Sequence, residues 1–197
     1  MTEYLSAFHH DYSVQVLEEL PPGEASVFYF PGGSKKGGRD GLLLSIKPDK
    51  GQEWVGVFAF GGFGGGQTCI SSTPDANTLC VVSSGAAYLV RAGDPSLNSQ
   101  LPVVPVTDFR PLPERGVIIV ADYTTIGALG GGGLLWRTGR LSWDGISITH
   151  VGPDFLEGEG WDPTTSTRPP FKVDLRTGEH SGGSSPKKYD STRQVVR

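Results

Sequence analysis

Gly133-Leu134-Leu135-Trp136 echoes Gly51-Gln52-Glu53-Trp54, and the two tryptophans stand 82 residues apart, twice 41. Gly93, after Ala86 to Arg91, lies between them, and Gly178, after Phe171 to Thr177, lies beyond. Punctuated apolar segments therefore recur every 40 to 45 residues. A repeat of that length built from strands alone is the arithmetic of a four-stranded sheet that needs neighbours to bury its faces. About four such units fit the chain.

The segments around the echo have the texture of strands. Apolar and polar residues alternate over Tyr12 to Val16. Apolar runs occupy Val27 to Phe30, Gly41 to Ile46, Trp54 to Phe60, Leu79 to Ser83, Ala86 to Val90 and Leu101 to Val106. Further runs follow at Val117 to Ala121, Leu134 to Arg137, Ile146 to His150 and Phe171 to Leu175. Each is short and bounded by Gly, Pro or Asp, which predicts roughly a dozen strands. The best helical candidate, Glu3 to His10, is short. Composition agrees: 29 glycines and 15 prolines in 197 residues disfavour helix interiors and suit tight turns.

The expected fold is all-β: antiparallel meander sheets in a propeller-like arrangement of about four blade-like units, ahead of a β-sandwich or barrel. One domain covers residues 1–183. Residues 184–197 lose apolar content and read as a polar, flexible tail, and Ser34 to Arg39 reads as an exposed loop.

Thr125-Ile126-Gly127-Ala128 through Gly133-Leu134-Leu135-Trp136, and Val173-Asp174-Leu175-Arg176-Thr177-Gly178, resemble the outer-hairpin motif of quinoprotein-type and related β-propeller blades. There a strand ends in Ala-Leu-Asp, Thr-Gly follows, and the next strand ends in Trp. The first copy is two residues short and lacks the Asp and Thr; the second has Asp-Leu-x-Thr-Gly but no Trp. The resemblance implies blade geometry and no quinone cofactor, since the family's cofactor and metal ligands have no counterparts. The C-terminal half, from Leu141-Ser142-Trp143-Asp144-Gly145 to Gly160-Trp161-Asp162-Pro163, also resembles uncharacterised bacterial proteins.

Net charge is −4 and the 17 Lys and Arg are scattered, which argues against nucleic acid as a partner. No stretch reaches the roughly 18 apolar residues of a membrane span, and Met1 to Phe8 lacks a secretory pattern, so a cytoplasmic setting is expected. Cys69 and Cys80 flank Thr73-Pro74-Asp75-Ala76 and would face each other across a hairpin. A reducing compartment makes them buried thiols, with a cross-strand pair as the alternative.

Two Trp-Asp pairs are the candidate site. Trp143-Asp144-Gly145 and Trp161-Asp162-Pro163 can close turns through the carboxylate while the indole packs a strand end. The turn-closing role is the commoner one for such pairs; the functional reading is an aromatic shelf for a sugar, base or peptide, with Trp136 and Arg140 as neighbours. Adjacent His9 and His10 point to opposite faces of a strand and make a poor metal site. Glu157 and Glu159 share a strand face, and the glycines at 61–66 connect strands without a following phosphate-loop Lys.

The function expected is non-catalytic binding of an unspecified protein or small-molecule ligand by a monomer or small homo-oligomer of bacterial type, with no cofactor and no metal. One alternative is a hydrolase assembled from distant groups such as His150 and Asp122. The other is a small immunity or inhibitor protein, which would suit the acidic balance.

Overall fold

A computed structural model describes residues 2–22, 26–32, 40–62 and 64–184. Among these residues the strands run, in chain order, β1 (Glu3–Leu5), β2 (Tyr12–Leu17), β3 (Val27–Phe30), β4 (Gly41–Pro48), β5 (Trp54–Ala59) and β6 (Cys69–Ser72). They continue with β7 (Thr78–Ser83), β8 (Ala86–Arg91), β9 (Asp94–Gln100), β10 (Asp108–Leu112), β11 (Val117–Ala121) and β12 (Ile126–Gly130). The last are β13 (Gly133–Arg137), β14 (Ile146–Val151), β15 (Phe155–Gly160), β16 (Pro170–Asp174) and β17 (His180–Gly182). A single 3₁₀ turn, Pro113–Arg115, is the helical exception among the described residues.

Four sheets result. The first has the order β2-β4-β5-β3, with β3 parallel to β5. The second is the meander β6-β7-β8-β9, with β1 added in parallel beside β6. The third (β10 to β13) and the fourth (β14 to β17) are antiparallel meanders. The fold is all-β as expected, and none of the sheets closes on itself.

Three apolar cores lie between successive sheets. Leu44, Ile46 and Phe58 of the first sheet meet Leu79, Val81, Tyr88 and Val90 of the second. The opposite face of the second, with Cys80, Val82 and Leu89, meets Ile118, Val120 and Leu129 of the third. The third sheet's other face, with Ile119, Ile126 and Ala128, meets Leu156, Phe171 and Val173 of the fourth. Strands buried on both faces need apolar residues at every position, which is why β11 reads Val-Ile-Ile-Val-Ala without alternation. In β15 buried and exposed residues alternate, because one face of the fourth sheet meets solvent.

Tryptophans reach across two of the three junctions. Trp54, at the start of β5, is buried and donates its indole N–H to Ala92 O at 2.7 Å. Trp136, in β13, donates to Leu175 O at 3.2 Å. Ala92 and Leu175 are each the first residue after the third strand of the next sheet. Gly178 lies under the Trp136 ring at φ +74°, and an added Cβ there would stand 2.6 Å from the indole. The copy of the hairpin motif that has the Trp thus meets the copy that has Thr-Gly. Gly93 and Gly178 lie in turns between third and fourth strands and Gly133 opens the fourth strand after such a turn, whereas Gly51 joins two central strands of the first sheet.

Several expectations change. Glu3 to Leu5 forms a strand instead of starting a helix, because it pairs with Cys69 to Ser71. Leu101 to Val106 is not a strand: Pro102 and Pro105 offer no N–H to a ladder. Leu101, Val103 and Val106 instead fill the core between the second and third sheets. Cys69 pairs with Val82 and Cys80 with Ser71, so the cysteines are diagonal neighbours rather than opposite each other. Both are free thiols; burial pushes Cys69 up to about 12 and raises Cys80 as well. Ser184, expected to begin the tail, is buried and its N–H donates to Leu141 O at 2.7 Å. Residues 185–197 and the expected loop at Ser34 to Arg39 lie outside the described residues.

Candidate functional site

The link from β13 to β14 and the loop from β15 to β16 meet at one end of the fourth sheet. Ser142 ties them together. Its buried Oγ accepts from Trp161 N–H at 2.8 Å and Asp144 N–H at 3.2 Å, and donates to Gly145 O at 2.9 Å. The backbone adds Trp143 N–H to Trp161 O at 3.0 Å. A hydroxyl is small enough to sit inside this crossing and, as both donor and acceptor, satisfies three backbone groups there.

Trp143, Asp144, Trp161 and Asp162 are therefore brought together. Trp143 is 38% exposed, and the Arg140 guanidinium lies over its ring, 5.6 Å from the centroid. Asp144 is exposed beside it, while Trp161 is half-buried. Arg168 approaches the same turn, donating to Gly145 O at 3.3 Å. Trp136, expected as a neighbour of this shelf, lies instead against the fourth sheet's Gly178 turn and acts as a staple between sheets.

Asp162 closes a turn. Its carboxylate accepts from the Thr164 hydroxyl at 2.6 Å and the Thr164 N–H at 2.8 Å. The Thr164 hydroxyl, helped by that N–H, holds the Asp162 carboxyl below its ordinary range. Asp174 does the same for the Thr177-Gly178 turn, held low by the Thr177 and Arg176 N–H groups. An aspartate closing a turn onto a hydroxyl residue two positions on also occurs at Asp94 with Ser96 and at Asp122 with Thr124. Among the described residues the Asp-x-Ser/Thr turn thus occurs at three places, Asp94, Asp122 and Asp162, and only the last of them belongs to a Trp-Asp pair.

The groups weighed for catalysis and metal binding are dispersed. Asp122 is buried and salt-bridged to Arg137 at 2.7 Å, with its carboxylate also accepting from Thr124 and Thr125. That is a structural network within the third sheet. His150 is exposed on the fourth sheet, beside Glu157 in register. His9 pairs with Asp11 at 3.0 Å, whereas His10 faces Phe8 O and the Tyr4 hydroxyl. Glu157 and Glu159 stand on the solvent face, with Lys172 at 3.2 Å and Arg168 at 3.9 Å respectively. The described glycines of 61–66 link β5 to β6, where the Tyr123 hydroxyl donates to Gly64 O. Among the described residues, no three His, Cys, Asp or Glu gather closely enough to hold a metal ion, and no helix is long and apolar enough to cross a membrane.

Comparisons with protein-family models, curated proteins and solved structures gave no match to this chain. The chemistry of the residues themselves carries the functional reading.

Proposed function

We propose that this protein is a non-catalytic binding module, an open propeller-like stack of four sheets that presents Arg140, Trp143 and Asp144 to a protein or small ligand. The observation that carries this reading is Trp143: a large indole left at the surface on a turn that Ser142 fixes from within, with a guanidinium stacked on it. A rigid aromatic face flanked by both charges offers apolar area, donors and acceptors at little entropic cost to the protein. The blade-like part of the proposal draws support from the two indole staples, which repeat the same contact between successive sheets. A cytoplasmic, reducing setting is supported by the two free, buried thiols.

The test is a screen of immobilised glycans and peptides against the wild-type chain, Trp143→Ala and Arg140→Ala, with melting temperature measured alongside. Capture by wild type, lost in both variants at unchanged melting temperature, is the expected result. Ligands retained by both variants, or a wild type that captures none, would overturn the assignment.

A further inference from the structure

The three sheet junctions are not equivalent. The first is crossed by Trp54 and the last by Trp136, each indole donating to the first residue after the next sheet's third strand, Ala92 or Leu175. In the third sheet that position is Gly131, and the preceding sheet offers no tryptophan to it. Trp136 sits opposite Ala128, two residues before the end of β12. The corresponding pair in the second sheet is Leu89, two residues before the end of β8, with Ser99 opposite. Leu89 faces the third sheet within the middle core, and a directly opposed pair shares a sheet face. A serine therefore stands in the second sheet where the third sheet carries its staple.

What remains there is a cleft of about 330 Å³. Leu89, Arg91, Leu97 and Asn98 form one side, with Ser99 beside them, and the glycine turn 131–133 forms the other. This volume is at the small end of ligand sites, which run from roughly 300 to 1,000 Å³. Leu97 is 54% exposed at its mouth, and Arg91, paired with Asp75 at 3.6 Å, stands at the rim.

We infer that this cleft between the second and third sheets is a binding site for a tryptophan side chain presented by a partner polypeptide. The ring enters over the glycine turn against Leu89 and Leu97, and its N–H donates to Gly131 O. The occupant is named by the protein's own two filled junctions: in both, the first residue after the next sheet's third strand accepts a hydrogen bond from an indole of the preceding sheet. Glycines at 131–133 carry no side chain to obstruct a flat ring, and Arg91 can cover its outer face. This site is separate from the Trp143 surface, and either can fail without the other.

The experiment is a titration of the isotopically labelled full chain with N-acetyltryptophanamide, followed by amide chemical shifts. Saturable shifts at Leu89, Leu97, Asn98 and residues 131–133, with a Kd on the order of 1 mM or tighter, are expected. The probe methylated at its indole nitrogen should bind about fivefold more weakly, having lost one hydrogen bond. Ser99→Trp should fill the cleft from within, raise the melting temperature and abolish the shifts. Gly132→Leu gives a second block where an added Cβ meets nothing within 4 Å. Absence of saturable shifts at these residues, equal binding of the methylated probe, or binding that survives whichever blocking variant folds would overturn the inference.

Discussion

Trp136 and Trp143 stand near the two ends of the short link between the third and fourth sheets, and they use the same side chain in opposite ways. Trp136 is half-buried, with its ring on Gly178 and its N–H bonded to Leu175 O. Trp143 leaves 38% of its surface exposed and shares its ring with Arg140. An indole with both its face and its donor engaged inside the protein contributes to stability. One whose face meets only an exposed guanidinium contributes less to stability, and under the proposed function it is the face offered to a ligand. Trp54 belongs with Trp136, and more completely, because it is only 4% exposed.

The sharpest way to break this comparison is Trp54→Ala, which removes a buried indole and its bond to Ala92. A loss of about 3–5 kcal/mol is expected in urea unfolding. Trp136→Ala should cost less, about 2–3 kcal/mol, since its ring is only partly enclosed. Gly178→Ala should cost about 1–3 kcal/mol by placing a Cβ at positive φ against the ring. Combined with Trp136→Ala, its penalty should shrink, and a double-mutant cycle measures that coupling. Trp143→Ala should change stability by no more than about 0.5 kcal/mol; a larger loss would move Trp143 into the same class as Trp136.

The smallest effect concerns pH. Asp174 is held below the ordinary carboxylate range by the Thr177 and Arg176 N–H groups, so the folded chain takes up that proton less readily than the unfolded one. Its contribution is fully present above the unfolded value of about 3.9 and fades as pH falls through the lower folded value. Melting temperatures measured between pH of about 5 and about 3 should therefore drop slightly less for Asp174→Asn than for wild type.

The sequence disclosed the central strands well, because burial on both faces writes itself as an uninterrupted apolar run, as in β8 and β11. It concealed β9, whose Asp-Pro-Ser-Leu-Asn-Ser-Gln is exposed at nearly every position and has no apolar pattern to display. Leu101 to Val106 shows the converse, since burial alone made an irregular segment look like a strand. The Gly-x-x-Trp echo pointed to a real shared contact, although Trp54 and Trp136 occupy different strand positions. The gathering of Arg140, Trp143, Asp144 and Trp161 depends on Ser142, a residue without any distinguishing sequence signal. The middle cleft was equally hidden: Ser99 becomes informative only when β9 is aligned with β13.

The parallel pairing of β1 with β6 has a consequence during synthesis. Glu3 to Leu5 leave the ribosome long before their partners Cys69 to Ser71. At roughly 5–20 residues per second, the N-terminal segment waits several seconds for the edge it must join. Until then it is an unpaired ribbon, and so is the newly made edge of β6 if a bulky fusion at the amino end delays the meeting. Affinity tags are better carried at the other end.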